Sequence, residues 1–174
     1  MGALQPDLAL AFVSHEHAAA FDQVPERLAA QLPGALVIGC SGGGILGAGR
    51  EVEGEAALSL AVASLPGVEI TPFHLASNAT LPPVDDAKSW EDQLGVAASV
   101  RPSFLLLPEP FSFETQFLLS ALDHQYPGST VFGGLASGAR QAGSNALFLQ
   151  GQVFRRGLVG LAFAGDIAVD TIVA

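Results

Sequence analysis

Residues Gly39 to Gly43 read GCSGG and match the G-x-S-x-G pattern of a nucleophile elbow, which places a serine on a sharp turn between a strand and a helix. An elbow needs a helix directly after it, because that helix holds the serine and supplies the oxyanion amides. The residues that follow, Gly44 to Gly49, are poor helix formers as a group. We therefore favour a loop that acts through its backbone, and keep a hydrolase that uses Ser41 or Cys40 as the alternative.

Cys40 ends an apolar run, and its neighbours are glycines and Ser41, with no base beside it. A thiol in such a place is usually a small packing residue, since a catalytic thiolate needs a base or a positive charge nearby. We expect Cys40 to line a pocket rather than to act as a nucleophile.

A second glycine pattern, GGGILG at residues 42–47, matches the G-x-G-x-x-G fingerprint of dinucleotide-binding loops. That fingerprint requires a helix that starts within it and an acidic residue at the end of the second strand. No helix is legible here, and Glu69 lies beyond an intervening strand. We therefore expect no cofactor.

His15 and His17 follow the first apolar run, where alternating residues share a face and could ligate one metal ion. Only His74 and His124 remain as further histidines, and neither occupies a matching position. We expect no metal, and interpret Ser14 to His17 as a solvated loop in which Ser14 can act as a cap.

Two arginines, Arg50 and Arg140, follow glycine-rich stretches at roughly corresponding places along the chain. Their ordinary role is surface ion pairing. A cation at the mouth of a glycine loop can also hold the carboxylate of a ligand, so both are candidate binding residues.

The composition excludes several classes of partner. The chain has 174 residues, 17 acidic and 7 basic side chains, and only one lysine, Lys88, whereas nucleic-acid and anionic-membrane binders need clustered positive charge. The longest uncharged run, Leu28 to Gly49, contains Pro33 and seven glycines, so it does not read as a membrane helix. A single cysteine and the absence of a basic leader favour a soluble, cytoplasmic protein of one domain.

The apolar pattern predicts an α/β protein. Leu8–Val13 reads as a strand buried on both faces, and Val24, Leu28 and Leu32 form the stripe of a helix that begins near Pro25. The same reasoning predicts strands at about 35–40, 57–65, 68–75, 104–107, 130–133 and 158–163, a helix at 85–98 and a hairpin-like insertion at about 146–154.

Shifting the sequence by 94 residues superposes two halves of the chain: Pro33-Gly34 falls on Pro127-Gly128, and Gly39 falls on Gly133. We interpret this as two pseudo-repeated β-α-β-(Gly loop)-β-β units, at about 7–76 and 101–174, joined by a helical linker at 77–100. Together they are expected to form mixed parallel and antiparallel sheet with helices packed on it.

A right-handed crossover brings the exits of the first two strands of each unit to one edge of the sheet. Residues 14–17 should therefore lie near 40–44, and residues 108–111 near 133–138. Open α/β sheets usually bind ligands at this edge.

The same segments resemble the N-terminal FIST domain, which occurs in bacterial signalling proteins and eukaryotic F-box proteins. The resemblance rests on LALAFVSHEH at 8–17, LVIGCSGGGILGAGREVE at 36–53, VFGGLASG at 131–138 and ALFLQGQVFRRGLVGLAF at 146–163. It implies a non-enzymatic sensory domain that binds a small ligand, amino acids among the proposals, and passes occupancy to a signalling module. It brings no agreed catalytic residue or cofactor.

The strand exits and the resemblance together predict a ligand site with no catalytic residue. The expected binding residues are Ser14, His15, Cys40, Ser41, Gly42, Gly43, Arg50, Gly133, Gly134, Ser137, Gly138 and Arg140. A structural interaction domain, whose glycine loops only close turns, is the third hypothesis.

The resemblance also implies partners, since a C-terminal FIST domain usually follows in that family. We interpret residues 1–174 as a single FIST N-terminal-like domain without that second domain. Either the chain is a fragment or a solo version, or its partner is another chain or a second copy. The strands predicted at Leu158–Phe163 and Ile167–Val173 would leave an apolar face or edge, so a homodimer through them is expected.

Overall fold

The computed structural model describes residues 5–171, in which eleven strands and three α-helices follow one another along the chain. The strands are β1 (Leu8–Ser14), β2 (Leu36–Gly42), β3 (Gly44–Gly47), β4 (Arg50–Glu53), β5 (Leu58–Ala63), β6 (Val68–Leu75), β7 (Ser103–Pro108), β8 (Val131–Gly133), β9 (Leu147–Leu149), β10 (Gln152–Phe154) and β11 (Leu158–Gly165). The helices are α1 (Val24–Gln31), α2 (Ala87–Leu94) and α3 (Thr115–Gln125), with 3-10 helices at His15–Gln23 and Ala98–Val100.

Two parallel strand–helix–strand units organise these elements. In the first, β1 and β2 pair in parallel around α1, with Leu8 opposite Leu36 and Ser14 opposite Gly42. In the second, β7 and β8 pair in parallel around α3. Pro25 stands in the first turn of α1, where its missing N–H costs nothing, as predicted.

The strands form two large sheets and one hairpin. The five-stranded sheet has the order β10-β9-β2-β1-β5, the four-stranded sheet has the order β6-β11-β7-β8, and β3 pairs with β4 alone. Each unit therefore contributes strands to the sheet of the other unit. β6 belongs to the sheet of β7 and β8, and the β9–β10 hairpin belongs to the sheet of β1 and β2. The predicted α/β class with mixed sheet is confirmed.

The two sheets pack face to face and carry helices on their outer faces, which gives four layers. Alternation along β1 explains this arrangement, because Leu8 faces the core between the sheets while Ala9 and Ala11 face α1. On the other sheet, Leu105 and Leu107 face the core between the sheets, and Phe104 and Leu106 face α2 and α3. The central strands are thus buried on both faces, as their continuous apolar runs predicted.

The pseudo-repeat is not confirmed by this architecture. Strand orientation is the same in both units, and Gly34 and Gly128 end the two helical segments with positive φ. The pairing register differs by one residue, however: Gly39 lies opposite Ala11, whereas Gly133 lies opposite Leu106 rather than Leu105. The duplication therefore stays a prediction.

Three local predictions were wrong. The glycine-rich segment after β2 is not a plain loop but forms the β3–β4 hairpin. Residues 15–17 are not a solvated loop but begin the 3-10 helix His15–Gln23, and Ser14 makes no capping bond to it. The helix expected at 85–98 ends at Leu94, because Gly95 adopts a left-handed conformation (φ 71°) that terminates α2.

The expected apolar edge at the C-terminal strands is also wrong. Strand β11 is central, since it pairs with β6 on one side and with β7 on the other, and Leu158–Ala164 are buried. Residues 167–171 are not in a strand, and the remainder of the predicted strand Ile167–Val173 lies outside the described residues. In the part of the chain that the structure describes, no helix is both long enough and apolar enough to cross a membrane.

Candidate functional site

The carboxyl ends of the parallel strands meet at one edge of the molecule, and most of the predicted site residues lie there. Ser14 and Gly42 are direct partners at the ends of β1 and β2. The prediction that the exits of β1 and β2 adjoin is therefore confirmed. The loop after β8 reaches the same place, because the Ser137 N–H donates to the carbonyl of Ser41 at 3.0 Å.

Ser41 is the centre of a buried polar network. Its side chain is 1% exposed, and its Oγ lies 3.1 Å from the Ser137 carbonyl, 3.3 Å from Asn145 Oδ1 and 3.1 Å from the Ala146 N–H that donates to it. None of these partners is a base that could take the hydroxyl proton, and a serine nucleophile needs one. The geometry is that of a serine that joins two loops.

The network continues to two residues that the sequence analysis missed, Asn145 and Glu109. Asn145 Nδ2 donates to Glu109 Oε1 at 3.0 Å, and its Oδ1 also accepts the Ala139 N–H at 3.1 Å. Both side chains are fully buried. A signal existed for Glu109, because the 94-residue offset places it on His15, just beyond the end of a strand. Asn145 carried no such signal, since the two side chains that it bonds, Ser41 and Glu109, are 104 and 36 residues away.

The two glycine loops of the two units touch each other. The Gly43 N–H donates to Ser137 Oγ at 3.0 Å. At Gly138 (φ 94°), an added Cβ would lie 2.6 Å from His15 Cβ and 2.9 Å from the Gly42 carbonyl oxygen. Only glycine allows this close approach, so Gly138 locks the second loop onto the end of the first unit.

Ser14 has a different role from a loop cap. Its side chain is buried, and its Oγ accepts the Ala57 N–H at 2.8 Å, while its own N–H donates to the Ala57 carbonyl at 2.9 Å. The hydroxyl therefore ties the end of β1 to the start of β5.

Cys40 lies beneath the loops, in the core between the sheets, and is 4% exposed. Burial raises the pKa of its thiol from 9.0 to about 12. At neutral pH the thiol is therefore protonated, whereas nucleophilic attack requires the thiolate.

In the part of the chain that the structure describes, neither of the two arginines makes a side-chain hydrogen bond to the Ser41 network. Arg50 is exposed in the β3–β4 hairpin and Arg140 is exposed in the loop after Gly138. Within residues 5–171 the two ion pairs join Lys88 to Asp92 and Arg155 to Asp22, so neither arginine takes part in one. A ligand contact by Arg50 or Arg140 stays a prediction.

Beside the network, the exits of β7 and β8 form an open groove of about 240 Å³. Its lining is mostly apolar and consists of Leu106, Pro108, Thr115, Leu119, Val131, Phe132, Gly133, Gly134 and Leu135. Two of the predicted binding residues, Gly133 and Gly134, line it. Two larger depressions, of about 500 and 400 Å³, lie along residues 76–83 and contain none of the predicted residues, so the groove is the better candidate.

The two glycines of the groove differ in what they tolerate. A Cβ on Gly133 (φ 141°) would lie 2.0 Å from the Leu106 carbonyl oxygen, so this glycine is required by the β7–β8 pairing. A Cβ on Gly134 would have no atom within 4 Å. A side chain at Gly134 would therefore begin in open space without a close contact.

The described side chains at this edge give little support for a metal-binding site. Among residues 5–171, no group of three or more His, Cys, Asp or Glu side chains is placed to hold a metal ion. His15 packs edge-on against Phe21, at 6.1 Å between ring centroids, and its Nδ1 is buried without a hydrogen-bond partner.

Comparison with known proteins gives one family. The FIST N domain model matches residues 7–174. Among curated proteins, "Uncharacterized protein Rv0628c" of Mycobacterium tuberculosis (strain H37Rv) is 33% identical over 174 residues, and "Uncharacterized protein Mb0898c" of Mycobacterium bovis is 30% identical over 175 residues. Each match covers 96% of this chain and 42% of the relative, so the chain spans about two-fifths of the length of these relatives.

Proposed function

Because the chain belongs to the FIST family and carries its N domain, we propose that it is a non-enzymatic sensory domain that binds a small ligand for signal transduction inside the cell. The groove at the exits of β7 and β8 is the observation that carries this proposal. It lies at the carboxyl ends of parallel strands, where α/β sheets usually bind ligands, and Gly133 and Gly134 line it.

The size and lining of the groove favour a small and partly apolar ligand. Its volume of about 240 Å³ is below the range of roughly 300–1,000 Å³ that holds drug-sized molecules. A ligand of the size of an amino acid fits such a space. Leu106, Leu119 and Phe132 would contact its apolar part.

A sensory domain also needs a partner that reads occupancy. The curated relatives are more than twice as long as their matched part. Their remaining length supports the proposal that such proteins carry a further region, which would pass on the occupancy of the ligand site. A C-terminal FIST domain or a second copy of the chain are the partners that we propose. The contact between the loops of the two units, Gly43 to Ser137, is where a ligand at one unit would act on the other.

The test is a metabolite panel read by thermal shift on the purified chain. A ligand that binds only the folded state raises the midpoint of unfolding in proportion to ln(1 + [L]/Kd), whatever its chemistry. The variant Gly134→Val should abolish the shift, because it adds a branched side chain at a residue that lines the groove, while the open space around Gly134 spares the fold. Ala30→Val, on an exposed position of α1, adds comparable bulk away from the groove and should leave the shift unchanged.

Two results would contradict the proposal that the groove is the sensory site. If no compound of the panel stabilises the chain, or if Gly134→Val binds as the wild type does, the groove is not the sensory site. An equal loss of thermal stability and of binding in Gly134→Val would instead assign a conformational role to this glycine.

A further inference from the structure

Two open depressions lie on either side of the segment that follows β6. β6 and β7 both run antiparallel to β11, so the segments that follow them leave the sheet at the same edge. The first depression, of about 500 Å³, lies between residues 80–83 and α2. The second, of about 400 Å³, lies between residues 76–81 and residues 110–114. Leu81 lines both of them, so we call the two depressions together the Leu81 trough.

The wall that the two depressions share is extended and leaves backbone groups unpaired. Residues 79–83 form neither helix, strand, turn nor bend, and Pro82 restricts the residue before it to extended conformations. Among residues 5–171, no backbone group donates to or accepts from the N–H and C=O groups of Thr80 and Leu81. An extended segment whose N–H and C=O groups are unpaired can bind a second extended chain.

The two depressions differ in their chemistry. The second is mainly apolar, with Phe111 52% exposed in it and Phe113 packed against the core beneath it. The first contains the polar side chains of Thr80, Ser89, Asp92 and Gln93. Asp92 and Glu114 are the charged residues of the trough, and neither lining contains a lysine or an arginine. The trough therefore suits a partner with both apolar and basic side chains.

Asp92 is able to bind a basic group of a partner although it already forms an ion pair. Lys88 lies 2.5 Å from it, but the side chains of Lys88 and Asp92 are 76% and 65% exposed. Exposed pairs of this kind contribute little free energy, so a basic group of a partner can replace Lys88 at low cost. The net charge of −10 also draws a basic partner towards the chain.

We propose that the Leu81 trough binds an extended peptide of a partner protein in which apolar and basic side chains alternate. Successive side chains of an extended chain point to opposite sides. A peptide that pairs with the backbone of Thr80 and Leu81 therefore directs its apolar side chains to Phe111 and its basic ones to Asp92. A second copy does not supply such a peptide, because no two basic residues of this chain are separated by a single residue.

The experiment compares three fluorescently labelled heptapeptides by anisotropy on the wild-type chain. The first alternates lysine and leucine, the second has glutamate in place of lysine, and the third has serine in place of leucine. We expect the first peptide to bind. The other two should bind at least about tenfold more weakly, because each lacks one of the two kinds of side chain that the trough receives.

Two variants and two matched controls test the position of the site. Phe111→Ala and Asp92→Asn should each weaken binding of the lysine–leucine peptide by at least about threefold, while the midpoint of unfolding changes little because both side chains are exposed. Leu46→Ala truncates another exposed apolar side chain, and Asp123→Asn removes the same charge from an exposed position of α3. Both controls should bind the peptide as the wild type does.

Three results would overturn the proposal: equal binding of the lysine and glutamate peptides, unchanged binding in Phe111→Ala or Asp92→Asn, and equal weakening by Asp92→Asn and Asp123→Asn. The last of these would show attraction to the net charge alone. The trough and the groove share no lining residue, so Gly134→Val should bind the peptide as the wild type does. Failure of the peptide to bind therefore leaves the proposed sensory function standing, and failure of the metabolite panel leaves the peptide site standing.

Discussion

The thiol of Cys40 and the phenol of Tyr126 show how burial determines which side chains of this chain can ionise. Cys40 lies between the sheets, and Tyr126 lies in the core under α2 and α3, where its hydroxyl donates to the Val96 carbonyl at 2.9 Å. Burial raises the pKa of Cys40 from 9.0 to about 12 and, together with the charge of Glu91, raises the pKa of Tyr126 from 10.0 to about 12. Neither group is available as a base or nucleophile near neutral pH.

These shifts predict loss of stability in alkali. The unfolded chain releases the two protons near pH 9 and pH 10, whereas the folded chain keeps them to about pH 12. The contribution of these two groups to the free energy of unfolding should therefore be fully present below pH 9 and be lost progressively between pH 9 and pH 12. Urea titrations at pH 8 and pH 10.5 measure the difference. The double variant Cys40→Ala, Tyr126→Phe should lose less stability over this interval, and an identical loss would contradict the prediction.

At the scale of elements, the buried polar residues at the strand ends hold neighbouring strands and loops together. Ser14 joins β1 to the start of β5 through Ala57, and Ser41 joins β2 to the loop before β9. Trp90 and Leu94 pack α2 against the four-stranded sheet. The Asp86 side chain caps that helix by accepting the Ser89 N–H. These contacts position the groove without entering it.

Ser14 gives a prediction at this scale. Ser14→Ala removes the acceptor of the Ala57 N–H and should lower the free energy of unfolding by about 1 kcal/mol. Ligand affinity at the Gly134 groove should change by less than about twofold, because the hydroxyl is engaged with β5. Ser120→Ala, on the exposed face of α3, is the control and should change stability by no more than about 0.5 kcal/mol. If Ser14→Ala lost ligand binding while its stability stayed unchanged, the prediction would be contradicted, and Ser14 would be a ligand-binding residue.

The elements also show what periodicity could and could not predict. The apolar runs of β1 and β7 and the β6 segment Val68–Leu75 were placed well, because strand burial repeats along the chain itself. The β3–β4 hairpin was missed because glycines and short apolar residues between turns carry no distinct period. The one-residue shift between the two parallel pairs was also invisible, because register is set by packing across strands.

At the scale of the whole molecule, a row of exposed apolar side chains lies on β5, whereas the C-terminal strand β11 is buried. β5 is at one end of the five-stranded sheet, and Leu58, Leu60 and Val62 on one of its faces are 47%, 41% and 54% exposed. Residues 56–65 contain no charged side chain, although edge strands of monomeric proteins are usually protected by charges, prolines or bulges. This edge, which we call the β5 edge, is where association should occur.

The prediction is self-association through the β5 edge that grows with salt. The net charge of −10 keeps copies apart, and salt screens that repulsion beyond roughly 8 Å at physiological strength. Light scattering at high protein concentration should give an average mass that rises with salt, and Leu60→Lys should hold the mass near that of one chain. Val100→Lys adds the same charge at another exposed apolar position and should not change the association. A wild-type chain that stays monomeric at high concentration and high salt would contradict the prediction.

The sequence by itself determined the α/β class and the family, and it predicted that the exits of β1 and β2 adjoin at one edge of the fold. These follow from local quantities, namely apolar period, turn residues and short motifs, which neighbouring residues impose on each other. The tertiary structure alone decided that β6 and the β9–β10 hairpin cross between sheets, that β11 is central, and that Ser41, Asn145 and Glu109 meet. The physical reason is that these contacts join residues 36 to 111 positions apart, so they depend on how two sheets pack rather than on any period along the chain.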